Sequence, residues 1–308
     1  MSAGELSAAA RGGRARILQH PAGRVGAILV ALIAAFALLG PLLAAHDPLT
    51  SDLVRGIDKE TGLPVGPSPG LWLGADRLFR DELARLATGA RLSLVVGIAA
   101  TAIATLIGTA VGIVAGWFEG QPAALPGPLG RFLRIDVDAI LMRAVDIGLS
   151  FPFLLLVMAI GASVDRTTVT TLLLLLGLTG WLGMARVVRA KTMQVRRFEF
   201  IDAARALGQT TPAILVRHVL PNVLGPIVVI ATAQVAQMIL AESVLSYLGA
   251  GVAPPTPTWG GMLSESQDTF SVTPWLVLSP AVAILLTVLG FNLLGEGLRD
   301  VLDPREAR

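Results

Sequence analysis

Cysteine is absent from this 308-residue chain, which excludes disulfide scaffolds, thiolate zinc sites and cysteine nucleophiles together. Charge is scarce: Asp, Glu, Lys and Arg make up 15% of residues, against about 25% in soluble domains. Lysine occurs only as Lys59, after Asp58, and Lys191, after Ala190. Neither follows glycine, so the chain has no Gly-Lys phosphate loop and no nucleotide site of that kind. His20, His46 and His218 all lie outside the long apolar runs, and neither H-E-x-x-H nor G-x-S-x-G occurs. An intramembrane enzyme would need a nucleophile and a base within those runs.

What fills the space is apolar sequence, 54% of residues, gathered into long runs. Six runs have spanning length: Val25–Ala45, Leu92–Gly116, 147–164, 168–185, Leu224–Leu245 and Leu276–Gly295. The first, 21 residues, reaches about 31 Å as a helix. It exceeds a signal-peptide core despite Arg11, Arg14 and Arg16 before it, so a retained helix is expected. The fold class predicted is therefore all-α, a polytopic membrane protein of six helices. Gly108 and Gly112 form a small-xxx-small pair suited to helix packing.

The net charge of +2 sits mostly beside apolar runs and reads as topology, with no nucleic-acid footprint. With the N-terminus inside, inner segments carry 17 Lys and Arg and outer segments 7. The predicted organisation is a cytoplasmic segment 1–24, a first helix 25–45 and an outer loop 46–91. A five-helix core 92–295 and a cytoplasmic tail 296–308 follow. Outer stretches 46–91, with its Gly/Pro-rich part Gly62–Gly70, and 246–275, with Pro254, Pro255, Pro257 and Trp259, are expected to hold irregular backbone.

Chemistry concentrates in Arg196 to Asn222. Phe200, Ala203, Ala204 and Leu207 fall at i, i+3, i+4 and i+7, one apolar helical face, with Glu199, Asp202, Arg205 and Gln209 around it. Gly208 stands where a helix end needs a left-handed residue. Thr211 and Pro212 read as the cap and first position of a second helix running through Leu220-Pro221 into the fifth span. Such a helix either docks on another protein or rests on lipid headgroups, and its physics alone does not separate the two.

Asp202-Ala203-Ala204, three residues, Gly208 and later Leu220-Pro221 resemble the EAA loop of binding-protein-dependent ABC importer permeases, with Asp202 where the pattern has Glu. Leu73-Gly74-Ala75-Asp76, Arg80-Asp81, Arg85-Leu86 and Gly89 to Leu94 resemble the dipeptide, oligopeptide and nickel subfamily. So do Ala241-Glu242-Ser243, Leu245 to Gly249, Pro255 to Gly260 and Phe291 to Pro304, with Glu296 replacing an Asp. The likeness is to the second permease of such systems.

The resemblance implies a coupling helix, carried by Glu199, Asp202, Ala203, Ala204, Gly208 and Pro221, that inserts into an ATPase. It implies a bacterial inner-membrane subunit with cytoplasmic termini, partnered by a similar permease, two ATPases and an extracytoplasmic solute-binding protein. No cofactor is expected on this chain; ATP and Mg belong to the ATPases. The implied cargo is a di- or oligopeptide, with nickel or another peptide-like solute as alternative.

Glu242 is the only charge inside the predicted spans. It reads either as a translocation-path carboxylate or as an acid satisfied by neighbouring groups, and its place in the family pattern irrespective of cargo favours the second. A secondary transporter would want ionisable groups near the midplane, and Glu242 is the sole candidate. Gln234 and Gln237 either line the path or bond between helices. Arg143 and Asp146, one turn apart, are expected to pair. The five tryptophans are expected near membrane interfaces.

Overall fold

The structure, a computed structural model, describes residues 20–44, 46–121, 123–124, 134–163 and 167–302. It is almost wholly helical: α1 Pro21–Leu43, α2 Glu82–Phe118, then a two-residue antiparallel pair β1 Ala123–Ala124 and β2 Arg134–Ile135. There follow α3 Val137–Leu149, α4 Phe153–Gly161, α5 Val169–Thr179, α6 Leu182–Val195 and α7 Glu199–Ala206. Next come α8 Thr211–Ile214, a π-helical turn Leu215–Val219, α9 Leu220–Tyr247, α10 Trp259–Ser266 and α11 Trp275–Leu302. The all-α membrane fold predicted from sequence stands.

Among the described residues, five segments are long and apolar enough to cross a bilayer: Pro21–Leu43, Glu82–Phe118, Val169–Val195, Thr211–Tyr247 and Trp275–Leu302. The expected third span departs from the prediction. It is a pair, α3 and α4, bent by 85°. Pro152 has no N–H to give and pushes Phe151 out of helical geometry, so the chain breaks there. Ser150 closes α3, its hydroxyl donating to the Ile147 carbonyl at 2.6 Å. The second span also begins earlier than predicted, at Glu82, and α10 puts regular helix into the outer stretch 246–275.

The described residues fall into two compact units. The first comprises Met1–Ala99, Met158–Leu175 and Thr232–Arg308. In it α1 lies along α11 through glycine: a methyl at Gly26 would stand 2.3 Å from the Leu294 nitrogen, and one at Gly297 would stand 2.3 Å from the Gly23 Cα. Trp259 is fully buried in this unit's core and donates from Nε1 to the Leu86 carbonyl at 3.0 Å.

Within that unit the segment 46–81 is irregular, as predicted, with positive φ at Gly62, Gly70 and Gly74. Backbone N–H groups, Arg55's foremost, hold the exposed Asp52 carboxyl below its ordinary pKa. Buried charge pins the segment down. Arg80 Nε donates to Asp76 Oδ2 at 2.6 Å, and Arg85 Nε stands 3.1 Å from the same oxygen. Both guanidinium groups also donate to Glu265 Oε2, at 3.1 and 2.9 Å. His46 Nδ1 lies 2.9 Å from Asp81 Oδ2.

The second unit comprises Ala100–Val157 and Leu176–Ala231. Gly108 and Gly112, the small-residue pair, meet Met184 and the Ala185 carbonyl of α6, so the pair is a packing face inside this chain. Asp138 accepts from Arg189 Nε and Nη2 at 2.6 and 2.5 Å, a bidentate pair joining α3 to α6. Asp146 does not take the predicted neighbour Arg143. Its partner is Arg186, at 2.5 Å, because α6 runs alongside and offers a guanidinium across the helix seam. Of the tryptophans, Trp117 and Trp259 are core residues, which corrects the expectation that they anchor at an interface. Trp72 is 67% exposed.

Candidate functional site

The segment after α6 is built by chain reversal twice over. The Arg196 N–H closes α6 onto the Thr192 carbonyl, and Phe198, in extended geometry, opens α7. Glu199 and Asp202 occupy the first turn and Arg205 the last, the order the helix dipole favours. At the other end Gly208 takes φ +76°. Its N–H reaches the Arg205 carbonyl at 2.9 Å and the Gln209 N–H reaches that of Ala204 at 3.1 Å. These two bonds make a Schellman turn, which needs the left-handed residue foreseen at Gly208.

A methyl at Gly208 would meet nothing within 4 Å, so substitution there carries a conformational penalty alone, about 1–2 kcal/mol. Gly208→Val is expected to speed tryptic cleavage after Arg205 several-fold in isolated membranes while insertion is unchanged. Cleavage at the parental rate would show that the turn holds without glycine.

Helix α7 divides its apolar residues between two surroundings. Ile201 and Ala204 are buried with Ile113, Trp117, Val195, Ile214 and Val219. Phe200 is 40% exposed, Leu207 is 81% exposed, and Ala203 lies out with them. The expected single face of Phe200, Ala203, Ala204 and Leu207 is thereby corrected: Ala204 belongs to the chain's own core. At about 100° per residue the apolar arc from Ala203 to Ile201 spans roughly 160°. Half of that arc is covered and half is open. Phe198 adds to the open half, its ring 5.6 Å from that of Phe200.

The second helix starts one residue earlier than predicted, at Thr211 with Thr210 as cap and Pro212 in the first turn. It runs into the π-helical turn Leu215–Val219, which ends two residues before Pro221. A proline at that position clashes with the carbonyl four residues back, and a wider turn relieves the clash. Asn222 Nδ2 donates to the His218 carbonyl at 2.7 Å, and His218 Nε2 lies 3.1 Å from Gln209 Oε1, tying the helix back to the glycine turn.

Two arginines bind α7 to the end of α2. Arg196 Nη1 donates to the carbonyls of Trp117 at 2.6 Å, Glu119 at 2.9 Å and Gly116 at 3.4 Å. The Arg205 guanidinium lies 4.8 Å from the centre of the Trp117 ring and also pairs with Asp202 at 3.1 Å. Sequence reasoning gave Arg196 no role and read Trp117 only as an interface anchor. The only signal was a basic residue just before the apolar-periodic stretch.

The residues considered for a path lie apart from this segment along the chain. Glu242 is 0% exposed. It accepts from Ser93 at 2.8 Å, Ser246 at 2.9 Å and Ser243 at 3.4 Å, all hydroxyls of this chain. Gln234 is buried, whereas Gln237 is exposed.

The family profile described as "Binding-protein-dependent transport system inner membrane component" matches residues 120–308. A second, "N-terminal TM domain of oligopeptide transport permease C", matches residues 11–57. The oligopeptide transport system permease protein OppC of Escherichia coli (strain K12) is 37% identical over 296 residues, 95% of this chain and 90% of its own length. The dipeptide transport system permease protein DppC of Bacillus subtilis (strain 168) is 35% identical over 294 residues, 95% and 85% of the two lengths. An inward-facing structure of the MetNI methionine ABC transporter shares the fold, with TM-score 0.54 and 18% identity, covering 71% of this chain and 96% of that one. Apolar helices of spanning length, matched along nearly their whole extent by membrane permeases, lead to one assignment: this multi-pass inner-membrane chain belongs to the binding-protein-dependent transport system inner membrane components, the permease subunits of ABC importers.

Proposed function

We propose that this chain, with a second permease of its kind, forms the membrane pathway of an importer for di- or oligopeptides, and that the open face of α7 is its contact with a separate ATPase. The observation that carries the contact is the divided apolar arc. A short helix anchored by Ile201 and Ala204 still presents Phe198, Phe200, Ala203 and Leu207 outward. Glu199 and Asp202 rim that face, Gly208 sets the turn beyond it, and Pro221 marks the entry to α9.

ATP and Mg act on two ATPase subunits, and an extracytoplasmic binding protein delivers cargo. ATP-driven closure of the ATPases moves α7 and switches the pathway between outward and inward opening. The side of α7 and both termini are cytoplasmic in this reading. The peptide cargo follows from the curated relatives, which are peptide permeases by name along most of their length. Gln237 is the polar side chain on α9 best placed to meet cargo, with Gln234 beside it. Glu242, enclosed by serines, holds α9 to α2.

Burying a leucine side chain on a partner is worth about 1.5–3 kcal/mol, and a charge in its place reverses the sign. Leu207→Glu is therefore expected to reduce copurification of the ATPase subunits at least tenfold while the paired permeases still insert and assemble. Parental copurification and transport in that variant would overturn the coupling role. In proteoliposomes the parent complex should accumulate a labelled tripeptide only with ATP and binding protein. Uptake of a nickel chelate with no peptide uptake would replace the cargo.

A further inference from the structure

We infer that Arg196 and Trp117 are positioning residues which latch α7 to the carboxyl end of α2, so that displacement of α7 is passed to α2 across space and not along the chain into α9. The inference rests on the reading of α7 as the ATPase contact.

Three observations carry it. A helix leaves its last carbonyls unpaired, and those at the end of α2 are gathered by one side chain, Arg196, which precedes α7 by three residues. Its positive charge also suits the negative end of the helix dipole. At the far end of α7, Arg205 lies over the face of the buried Trp117 in the same last turn of α2. One attachment leaves a pivot; two, at opposite ends of an eight-residue helix, fix both its position and its rotation.

The route along the chain is the soft one. Between α7 and α9 it passes a left-handed glycine at Gly208 and the π-helical turn Leu215–Val219, both places where a backbone changes angle readily. Asp202 gains a role in this arrangement. Pairing with Arg205 three residues on, it holds the guanidinium over the ring, and its short side chain suits that spacing.

The test uses the full complex with ATPases and binding protein in proteoliposomes, reading ATPase copurification, basal hydrolysis and labelled tripeptide imported per ATP hydrolysed. Arg196→Met removes the donors and keeps the apolar stem; Arg196→Lys returns charge and donors; Trp117→Leu removes the ring and Trp117→Phe retains one. In Arg196→Met and Trp117→Leu, copurification should hold and basal hydrolysis should stay within twofold, while peptide per ATP falls at least fivefold. Arg196→Lys and Trp117→Phe should recover at least half of that loss. A parental import ratio in Arg196→Met overturns the latch. Loss of copurification that Lys does not restore also overturns it, since the residue would then only maintain local fold. Either result leaves the coupling reading intact, because that reading falls only if Leu207→Glu docks normally.

Discussion

Detergent-solubilised Arg85→Ala protein is expected to lose about 3 kcal/mol of stability, the low end for breaking a buried pair because Glu265 is reached by water, lowering its unfolding midpoint by roughly 5–10 °C. Arg85 is 1% exposed and stands between Asp76 and Glu265, both of which it shares with Arg80. Removing one guanidinium leaves the buried Asp76 and the solvent-exposed Glu265 facing a single cation, so the deficit falls mainly on Asp76. Pairing there is worth less than the penalty of breaking it, so the loss reports the stranded charge. Tryptophan fluorescence during thermal unfolding follows the effect, because Trp259 is buried in the same unit. Arg85→Lys should recover only part, as an ammonium cannot reach both acids with the geometry of a planar fork. A midpoint within two or three degrees of the parent would show that the segment 46–81 is held by something other than this network.

Gly26→Leu should be the most damaging substitution in the first helix. Its Cβ would stand 2.3 Å from the Leu294 nitrogen and 2.8 Å from the Gly290 carbonyl oxygen. Both are backbone atoms, so no side chain can swing away and α1 must leave α11. Overpacking of this kind costs about 1–3 kcal/mol or more. Contact between the helices can be read directly, because the chain contains no cysteine to interfere. A Cβ at Gly290 would lie 3.0 Å from that of Leu29, a side-chain contact eased by a few tenths of an ångström and not the backbone clash met at Gly26. A cysteine pair replacing Leu29 and Gly290 should therefore relax to the roughly 3.5–4.5 Å between the Cβ atoms of a disulfide and cross-link in the parent. The cross-link should disappear in Gly26→Leu. Undiminished cross-linking would mean that the two helices are not packed through these glycines.

The spans were legible because a bilayer demands about twenty apolar residues in a row, a signal that survives any detail of packing. What sequence could not supply was which neighbour each side chain would meet. Pro152 is tolerable within a membrane helix, and whether it kinks or breaks one depends on the surrounding helices, so the 85° bend stayed hidden. Asp146 had a plausible partner one turn away in Arg143, and lost it to Arg186 on a helix that only the fold brings alongside.

The turn at Gly208 was legible because only one conformation closes a helix that way. The faces of α7 were not. Counting from Phe200 found a stripe, but Ile201 widened the apolar arc, and only the core beneath could say that Ala204 goes in and Leu207 stays out. Arg196 escaped notice for the same reason, since the carbonyls it binds lie some eighty positions earlier, at separations of 77 to 80.

The glycine seam between α1 and α11 also sets a schedule for biogenesis. The 231 residues from 44 to 274 separate the two helices. At about 5–20 residues per second, ribosomes need roughly 10–50 s to make that stretch. Throughout that interval α1 sits in lipid with Gly23 and Gly26 uncovered, waiting for a helix not yet synthesised. Lipid tolerates the wait, because small residues drive helix association by close fit and not by escape from water. In a nascent chain arrested before Trp275 the carboxyl half of α1 can already rest on α2, where Gly40 meets Ala87, but quality-control proteases would find its amino half, with Gly23 and Gly26, uncovered until translation passes through α11.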